Sequence, residues 1–336
     1  MAHDDDIALL RAADPVPRDG ARFHGRALPA HAERQLNLLL ADAPAARRRP
    51  VRQVRRLVWG IEMVSLAVAA ALALVLAGSS TPAAAAPRPL VLRAGSTPQP
   101  LDRIADRAAA AAAAGGAPRL RQGTHVRTWS LAMASGPGAS PPVTLPEERV
   151  TRWRADGSST ELVVATDPRH PGRPVIADGP DGPRTVADGK VLSDRSYPPS
   201  WGTAPPRSRP PHTPGALRAY LAELGHPGDR TPLTGTGELL DAVAMLQRHW
   251  TPGARESAAL ARILADADGL HPAGAVTDRL GRTGQAYVYE TTGLRRMLIL
   301  DPASGAVIGL EDMVTTSDRT YGLKAGDVLS YSAWLR

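Results

Sequence analysis

Cysteine is missing from this 336-residue chain, which excludes disulfide bonds and thiolate metal sites. Aromatic residues are scarce as well, since Phe, Trp and Tyr make up 4% of the chain and Phe occurs once. Lysine is nearly absent, because 38 of the 40 basic residues are arginine. A folded domain in this chain must therefore be held together by a mainly aliphatic core, without covalent cross-links.

The sequence also lacks the motifs of common chemistries. Its nine histidines are scattered, and no His-Glu-x-x-His pair is present to bind zinc. No Gly-x-Ser-x-Gly turn presents a nucleophile, and Gly235-Thr236-Gly237 lacks the rest of a phosphate-binding loop. We therefore assign no catalytic residue, no cofactor and no metal site, and we expect that the protein is not an enzyme.

One long apolar run occupies residues 57–77. As a helix it is about 31 Å long at about 1.5 Å per residue, and it matches a hydrocarbon core of roughly 30 Å. A cleaved secretory signal is the alternative. Because 56 residues precede the run, and because it is longer than the roughly 7 to 15 residues of a signal core, we predict an uncleaved transmembrane helix.

The charges beside this run predict its orientation. Trp59 lies where the inner membrane interface is expected, and Glu62 is the single charge in the span. Glu62 either extends toward the inner headgroups, pairs with an arginine, or has a function inside the membrane. Basic residues beside a span stay in the cytoplasm, which predicts a cytoplasmic N-terminus and an extracellular C-terminal domain. The basic cluster consists of Arg47, Arg48, Arg49, Arg52, Arg55 and Arg56.

The distribution of charge argues against nucleic-acid binding. Residues 78–336 contain 29 basic and 25 acidic side chains, and these are interspersed. No basic stripe with interleaved aromatic residues is present. The arginine cluster is better explained by anionic membrane lipid, at roughly 1 kcal/mol per residue.

The regions on either side of the span differ in composition. Residues 1–56 have an apolar stripe from Leu28 to Leu40 at helical spacing, but they are too few to bury a core. This segment either remains partly disordered or folds against a cytoplasmic protein such as a sigma factor. Residues 78–100 contain five prolines, which is typical of an extended spacer.

Residues 101–336 have the pattern of an α+β domain. A helix is predicted from Leu101, followed by strands that include a hairpin around Asp156-Gly157. Three helices follow, with Thr213-Pro214 and Thr251-Pro252 expected to start two of them. Strands with hairpin-length turns then return. This order predicts a mostly antiparallel sheet with helices packed on it, an α+β domain.

Several short segments of the C-terminal region form a characteristic set: Val276-Thr277-Asp278, Gly281-Arg282, Leu298-Ile299-Leu300-Asp301-Pro302 and the closing segment 326–334. With this set the chain resembles an uncharacterised family of single-span actinobacterial membrane proteins, and the similarity covers roughly the anchor to the C-terminus. More distantly, such exported domains resemble LolA-like lipoprotein carriers and RseB-like sigma regulators. The resemblance implies a half-barrel fold and provides no catalytic residues.

The function expected from these features is a membrane-anchored extracytoplasmic binding or sensory module. Trp129 and Trp153 either line a groove for an apolar envelope ligand or fill the core. Two other functions stay open: an anchored cell-envelope hydrolase and a structural domain without a ligand.

Overall fold

The structure is a computed structural model that describes residues 87–115, 118–134, 141–180, 182–199, 208–226 and 231–336. The predicted cytoplasmic segment, the apolar span with its arginines, Trp59 and Glu62, and the first part of the linker lie outside these ranges. Among the helices that are described, none combines the length and hydrophobicity needed to cross a bilayer.

The described residues form an α+β fold, as the sequence predicts. Four helices are present in this part of the chain: α1 (Leu101–Ala113), α2 (Pro214–Gly225), α3 (Thr236–His249) and α4 (Ala254–Ala265). The first six strands are β1 (Arg121–Ala132), β2 (Val143–Trp153), β3 (Ser159–Ala165), β4 (Val175–Ala177), β5 (Arg184–Val186) and β6 (Lys190–Tyr197). The others are β7 (Trp250–Thr251), β8 (His271–Thr277), β9 (Thr283–Thr291), β10 (Leu294–Leu300), β11 (Val307–Val314) and β12 (Val328–Leu335).

Nine strands make one antiparallel sheet in the order β6-β3-β2-β1-β12-β11-β10-β9-β8. Strand β7 pairs with the start of β1, and β4 and β5 form a separate ribbon. Strands β6 and β8 are not paired with each other, so the described sheet is open and does not close into a barrel. The chain places its last strand, β12, beside β1 in the middle of the sheet.

Local sequence explains the predicted hairpin. Strands β2 and β3 pair in register from Trp153–Ser159 to Glu147–Ala165. Gly157 takes the left-handed φ of +84° that the turn requires, and Asp156 accepts a 2.8 Å hydrogen bond from the Ser158 N–H. The hairpin around Asp156-Gly157 is therefore confirmed.

The helix starts are only partly as predicted. Thr213 precedes α2 with Pro214 in the first turn, but the Thr213 side chain makes no capping hydrogen bond. Helix α4 begins after Gly253, whose N–H donates to Glu256 Oε2 at 3.0 Å. The prediction that Thr251-Pro252 starts this helix is wrong, because Thr251 belongs to β7 and its hydroxyl donates to the Gly123 carbonyl at 2.9 Å.

The sheet has two apolar faces, which we call the helix face and the outer face. On the helix face, Val126, Leu298 and Trp334 pack against leucines of the four helices. On the outer face, Trp129, Ile299 and Tyr331 belong to a second apolar cluster. Alternation along each strand produces this division, since neighbouring residues project to opposite sides.

The two edges of the sheet are protected by different means. Residues 87–100, which we call the strap, lie along the β8 edge, where Leu92 forms a bridge with Val276. Strand β6 instead has an irregular register opposite Val163 and Val164 and exposes Asp194 and Arg195. A bulge and charged side chains both discourage pairing with another chain.

Candidate functional site

The outer face contains a cluster of alternating aromatic and cationic groups. The Trp129 and Tyr331 rings are tilted by 48° with centroids 5.5 Å apart. The Arg169 guanidinium lies 5.4 Å from the Trp129 centroid, and that of Arg279 lies 5.0 Å from the Tyr331 centroid. Each ring therefore lies within cation–π range of one arginine.

A carboxylate fixes each of these arginines. Asp167 accepts from Arg169 Nε at 2.9 Å and from Arg169 Nη2 at 2.6 Å, in a two-pronged pair. The same carboxylate accepts from Trp129 Nε1 at 3.3 Å. At the other end of the cluster, Glu311 on β11 pairs with Arg279. We call Asp167, Arg169, Trp129, Tyr331, Arg279 and Glu311 the outer-face cluster.

The Arg279–Glu311 pair is the more deeply buried of the two. Its side chains are 5% and 3% exposed, against 29% and 9% for Arg169 and Asp167. Burial raises the pKa of Glu311 and lowers the pKa of Arg279, since both charged forms lose hydration, and the attraction between them opposes each shift. Burial also raises the pKa of Asp167, but bonds from Arg169 outweigh it, so the pKa lies below its ordinary value.

The strap is connected directly to this buried pair. The Leu90 N–H donates to Glu311 Oε1 at 2.9 Å, and Arg279 Nη2 donates to the Arg88 carbonyl at 3.0 Å. The two side chains of the ion pair thus neutralise each other's charge and also form hydrogen bonds with backbone groups of the strap. The segment that enters the domain is thereby attached to the middle of the sheet, where β11 lies.

Two polar atoms of the cluster have no hydrogen-bond partner among the described residues. They are the Tyr331 hydroxyl and Arg279 Nε, and both are fully buried. Burial raises the pKa of Tyr331, so the phenol stays neutral over the physiological range. The cluster therefore contains a neutral phenol between two ion pairs, Asp167–Arg169 and Arg279–Glu311.

Trp129 and Trp153 do not share a groove in this structure. Trp129 is 1% exposed and packs on the outer face. Trp153 projects to the helix face, where its ring meets His249 edge-on at 6.1 Å. The unbroken register between β1 and β2 places the two side chains on opposite sides of the sheet. The two side chains therefore do not line one common surface, and Trp129 is part of the apolar cluster of the outer face.

Two clefts on the helical side of the described residues are small. One, between α1 and α4, has a volume of about 220 Å³ and is lined mainly by alanines, with Arg255 and Arg262 beside it. Another, of about 90 Å³, lies near the start of α3 and is lined in part by Asp266 and Asp268. Both lie below the roughly 300 Å³ at which small-molecule sites begin. In the described part of the chain, no group of three or more His, Asp or Glu residues is arranged to hold a metal ion.

Comparisons with protein-family models, with curated proteins and with solved structures find no match for this chain. The resemblance to single-span actinobacterial proteins therefore stays a prediction.

Sequence reasoning identified Trp129 but missed the rest of the outer-face cluster. Glu311 offered a usable signal, because a carboxylate within the apolar run of β11 needs a partner when the strand is buried. Arg279 and Arg169 lie in connecting segments and had no comparable signal. Only the folded sheet brings them next to the aromatic rings.

Proposed function

We propose that this protein is a membrane-anchored extracytoplasmic binding or sensory module, with residues 57–77 as its anchor. The observation that supports this most directly is the attachment of the strap. The second part of the proline-containing segment that follows the apolar run is tied to a buried ion pair through Leu90 and Arg88. While bound, this segment shortens the connection between the proposed anchor and the sheet, which suits a domain that works close to a membrane.

The fold is consistent with this role. An open antiparallel sheet with helices on one face has the general architecture of LolA-like and RseB-like domains, and we propose a half-barrel of that kind. Because the two clefts are small, we place ligand or partner binding on an extended surface of the domain. Residues 1–56 would bind a cytoplasmic partner through the stripe that contains Leu28, Leu36 and Leu40.

The topology can be tested with single cysteines, because the natural chain has none and gives no background labelling. We would introduce Ala41→Cys and, separately, Arg319→Cys into the full chain and treat intact cells with a membrane-impermeant maleimide. We expect labelling of the Arg319→Cys variant in intact cells, and of the Ala41→Cys variant only after permeabilisation. The reverse pattern, or recovery of the protein in the soluble fraction, would refute the proposal.

Binding of a ligand or a cytoplasmic partner needs a separate measurement. Native mass spectrometry of the detergent-solubilised full chain would detect a co-purifying lipid or other envelope molecule. For the cytoplasmic side, cross-linking in cells would compare the natural chain with a Leu28→Ser/Leu36→Ser/Leu40→Ser variant. A cross-linked protein lost in the variant supports the relay, whereas identical products from both chains argue against it.

A further inference from the structure

The strap is attached to the domain by few interactions. Besides the bonds to Glu311 and Arg279, the Arg93 N–H donates to the Ala275 carbonyl at 2.8 Å, and Ser96 Oγ accepts from the Ala275 N–H at 3.0 Å. Leu90 and Leu92 pack against the outer face and are half-buried, and Pro87 at the start of the strap is buried. At the other end of the strap, the Gln99 carbonyl accepts from the Tyr287 hydroxyl at 2.9 Å. Val91 between them is 79% exposed.

The strands beneath the strap are held far more strongly. Strand β11 is paired along most of its length with β10 on one side and β12 on the other. Its residues Leu310 and Glu311 are 6% and 2% exposed. Regions with few apolar contacts and exposed backbone open at lower free energy than such core strands. The strap is therefore expected to open at a lower free energy than the strands beneath it.

The order of the attachments favours detachment from one end. Moving along the chain from its N-terminal side, they occur at Arg88, Leu90, Leu92, Arg93 and Ser96. Displacement that starts before residue 87 therefore breaks them one after another. The C-terminal strand β12, by contrast, is paired with β11 on one side and β1 on the other.

We propose that residues 87–97 of the strap form a detachable clasp, which opens and closes as a unit while the sheet and helices stay folded. This inference concerns the domain and holds whether or not the chain is anchored in a membrane. Release of residues 87–97 would lengthen the connection to the preceding chain by up to about 36 Å at roughly 3.3 Å per residue. It would also expose the backbone of β8 and the Arg279–Glu311 pair, which are covered in the closed state.

A reversible disulfide bond between the strap and β8 provides the test. The antiparallel bridge between Leu92 and Val276 places Val91 opposite Thr277, and directly opposed residues have the spacing a disulfide needs. We would make the Val91→Cys/Thr277→Cys variant of the full chain, with Val91→Ser/Thr277→Ser as the matched control. Hydrogen exchange at residue resolution would then be compared between the oxidised and reduced forms.

In the natural chain, we expect the Leu90 and Arg93 amides to exchange at least about 100-fold faster, relative to their intrinsic rates, than amides of β11 and β12. Oxidation of the double-cysteine variant should slow the strap amides at least about tenfold and leave those of β11 and β12 unchanged. Equal protection of strap and core strands in the natural chain would overturn the proposal.

A second variant makes the test independent of disulfide formation. Leu90→Ala/Leu92→Ala removes the apolar contacts of the strap and leaves its backbone hydrogen bonds in place. It should accelerate exchange of the Leu90 and Arg93 positions without changing β10 to β12. If exchange rises equally throughout the sheet, the strap is an integral part of the cooperative unit and the clasp does not exist.

Discussion

The two faces of the sheet are buried in different ways. The helix face is covered by four helices, whose leucines meet apolar side chains such as Leu298. The outer face is covered in part by the strap, and its cluster of rings is bordered by the ion pairs of Asp167 and Glu311. The same strands contribute to both faces, since Leu298 and Ile299 are neighbours that are both fully buried.

This difference shows that one sheet can combine a core made of many apolar contacts with one that depends on a few specific contacts. Apolar burial beneath helices is non-directional and involves many residues, so it tolerates small movements. Buried charges require particular partners, because removal of one leaves the other without compensation. The outer face therefore depends on a few specific contacts, and the strap supplies some of them.

Removing one partner of the buried ion pair is the strongest test of this difference between the two faces of the sheet. Glu311→Ala should lower the free energy of unfolding by about 4 kcal/mol, because Arg279 would stay buried without a counter-charge. Urea unfolding followed by tryptophan fluorescence measures this. Glu290→Ala is the control, since Glu290 is 69% exposed in its pair with Arg295 and should contribute less than about 1 kcal/mol.

The double variant Glu311→Leu/Arg279→Leu tests whether the loss of stability comes from the uncompensated charge of Arg279. Replacing both charges by apolar groups should restore most of the lost stability. A Glu311→Ala variant as stable as Glu290→Ala, or a double variant less stable than the single one, would contradict a role for the pair in covering the outer face.

The helix face should respond to loss of volume. Leu298→Ala is expected to lower the free energy of unfolding by about 3 kcal/mol, because it leaves a cavity among residues that cannot fully close it. Val91→Ala on the exposed side of the strap should change it by less than about 0.5 kcal/mol. If the two variants unfold at the same denaturant concentration, the helix face is not the main core.

Close packing on the outer face predicts a smaller effect. A Cβ on Gly309 would lie 2.9 Å from the Tyr331 hydroxyl oxygen and 3.1 Å from Ile299 Cδ1. Gly309→Ala should therefore destabilise the protein by about 2 kcal/mol through overpacking. Adding Tyr331→Phe removes the clashing oxygen and should recover part of the loss.

Gly215 in α2 provides the matched control, because a Cβ added there would meet no atom of another element within 4 Å. Gly215→Ala should be neutral or stabilising by up to about 1 kcal/mol, as expected for glycine in a helix. An equal loss in both glycine variants would show that the contact with Tyr331 is not the cause.

The smallest predicted effect is a pH dependence on the helix face. Burial, with a contribution from the charge of Arg248, lowers the pKa of His249 to about 4. The unfolded chain has the ordinary value of roughly 6.5 and so takes up a proton first on acidification. The neutral, buried His249 side chain therefore makes its full contribution to the free energy of unfolding above about pH 6.5. This contribution is lost as pH falls toward 4.

Between pH 6.5 and 5.5 this corresponds to about 1 kcal/mol of unfolding free energy. Urea unfolding at both pH values would compare the natural chain with His249→Gln, which cannot gain the charge. We expect the variant to lose this part of the pH dependence. An unchanged pH dependence would mean that the His249 side chain is solvated in the folded protein.

Much of the fold could be predicted because its signals are local. The α+β class, the helix from Leu101 and the hairpin at Asp156-Gly157 follow from periodicity and turn chemistry within short windows. The start of α4 was misplaced because Thr251 bonds to Gly123, a residue distant in the chain. Nothing near Thr251 indicates that partner.

The candidate site was predicted only in small part. Trp129 was singled out with Trp153 as lining a groove or filling the core, and only the register of β1 and β2 shows that the two rings lie on opposite faces of the sheet. The strap was assigned to an extended spacer. Its attachment depends on Glu311, which lies 221 residues after Leu90.

By itself, the sequence determined where helices, turns and strands form, since these depend on the spacing of apolar residues and on the backbone preferences of neighbouring residues. Only the tertiary structure decided that β12 pairs with β1, that Arg169 and Arg279 flank two aromatic rings, and that the strap binds a buried carboxylate. These contacts join residues far apart in the chain, and their free energy depends on burial that exists only after the sheet has assembled.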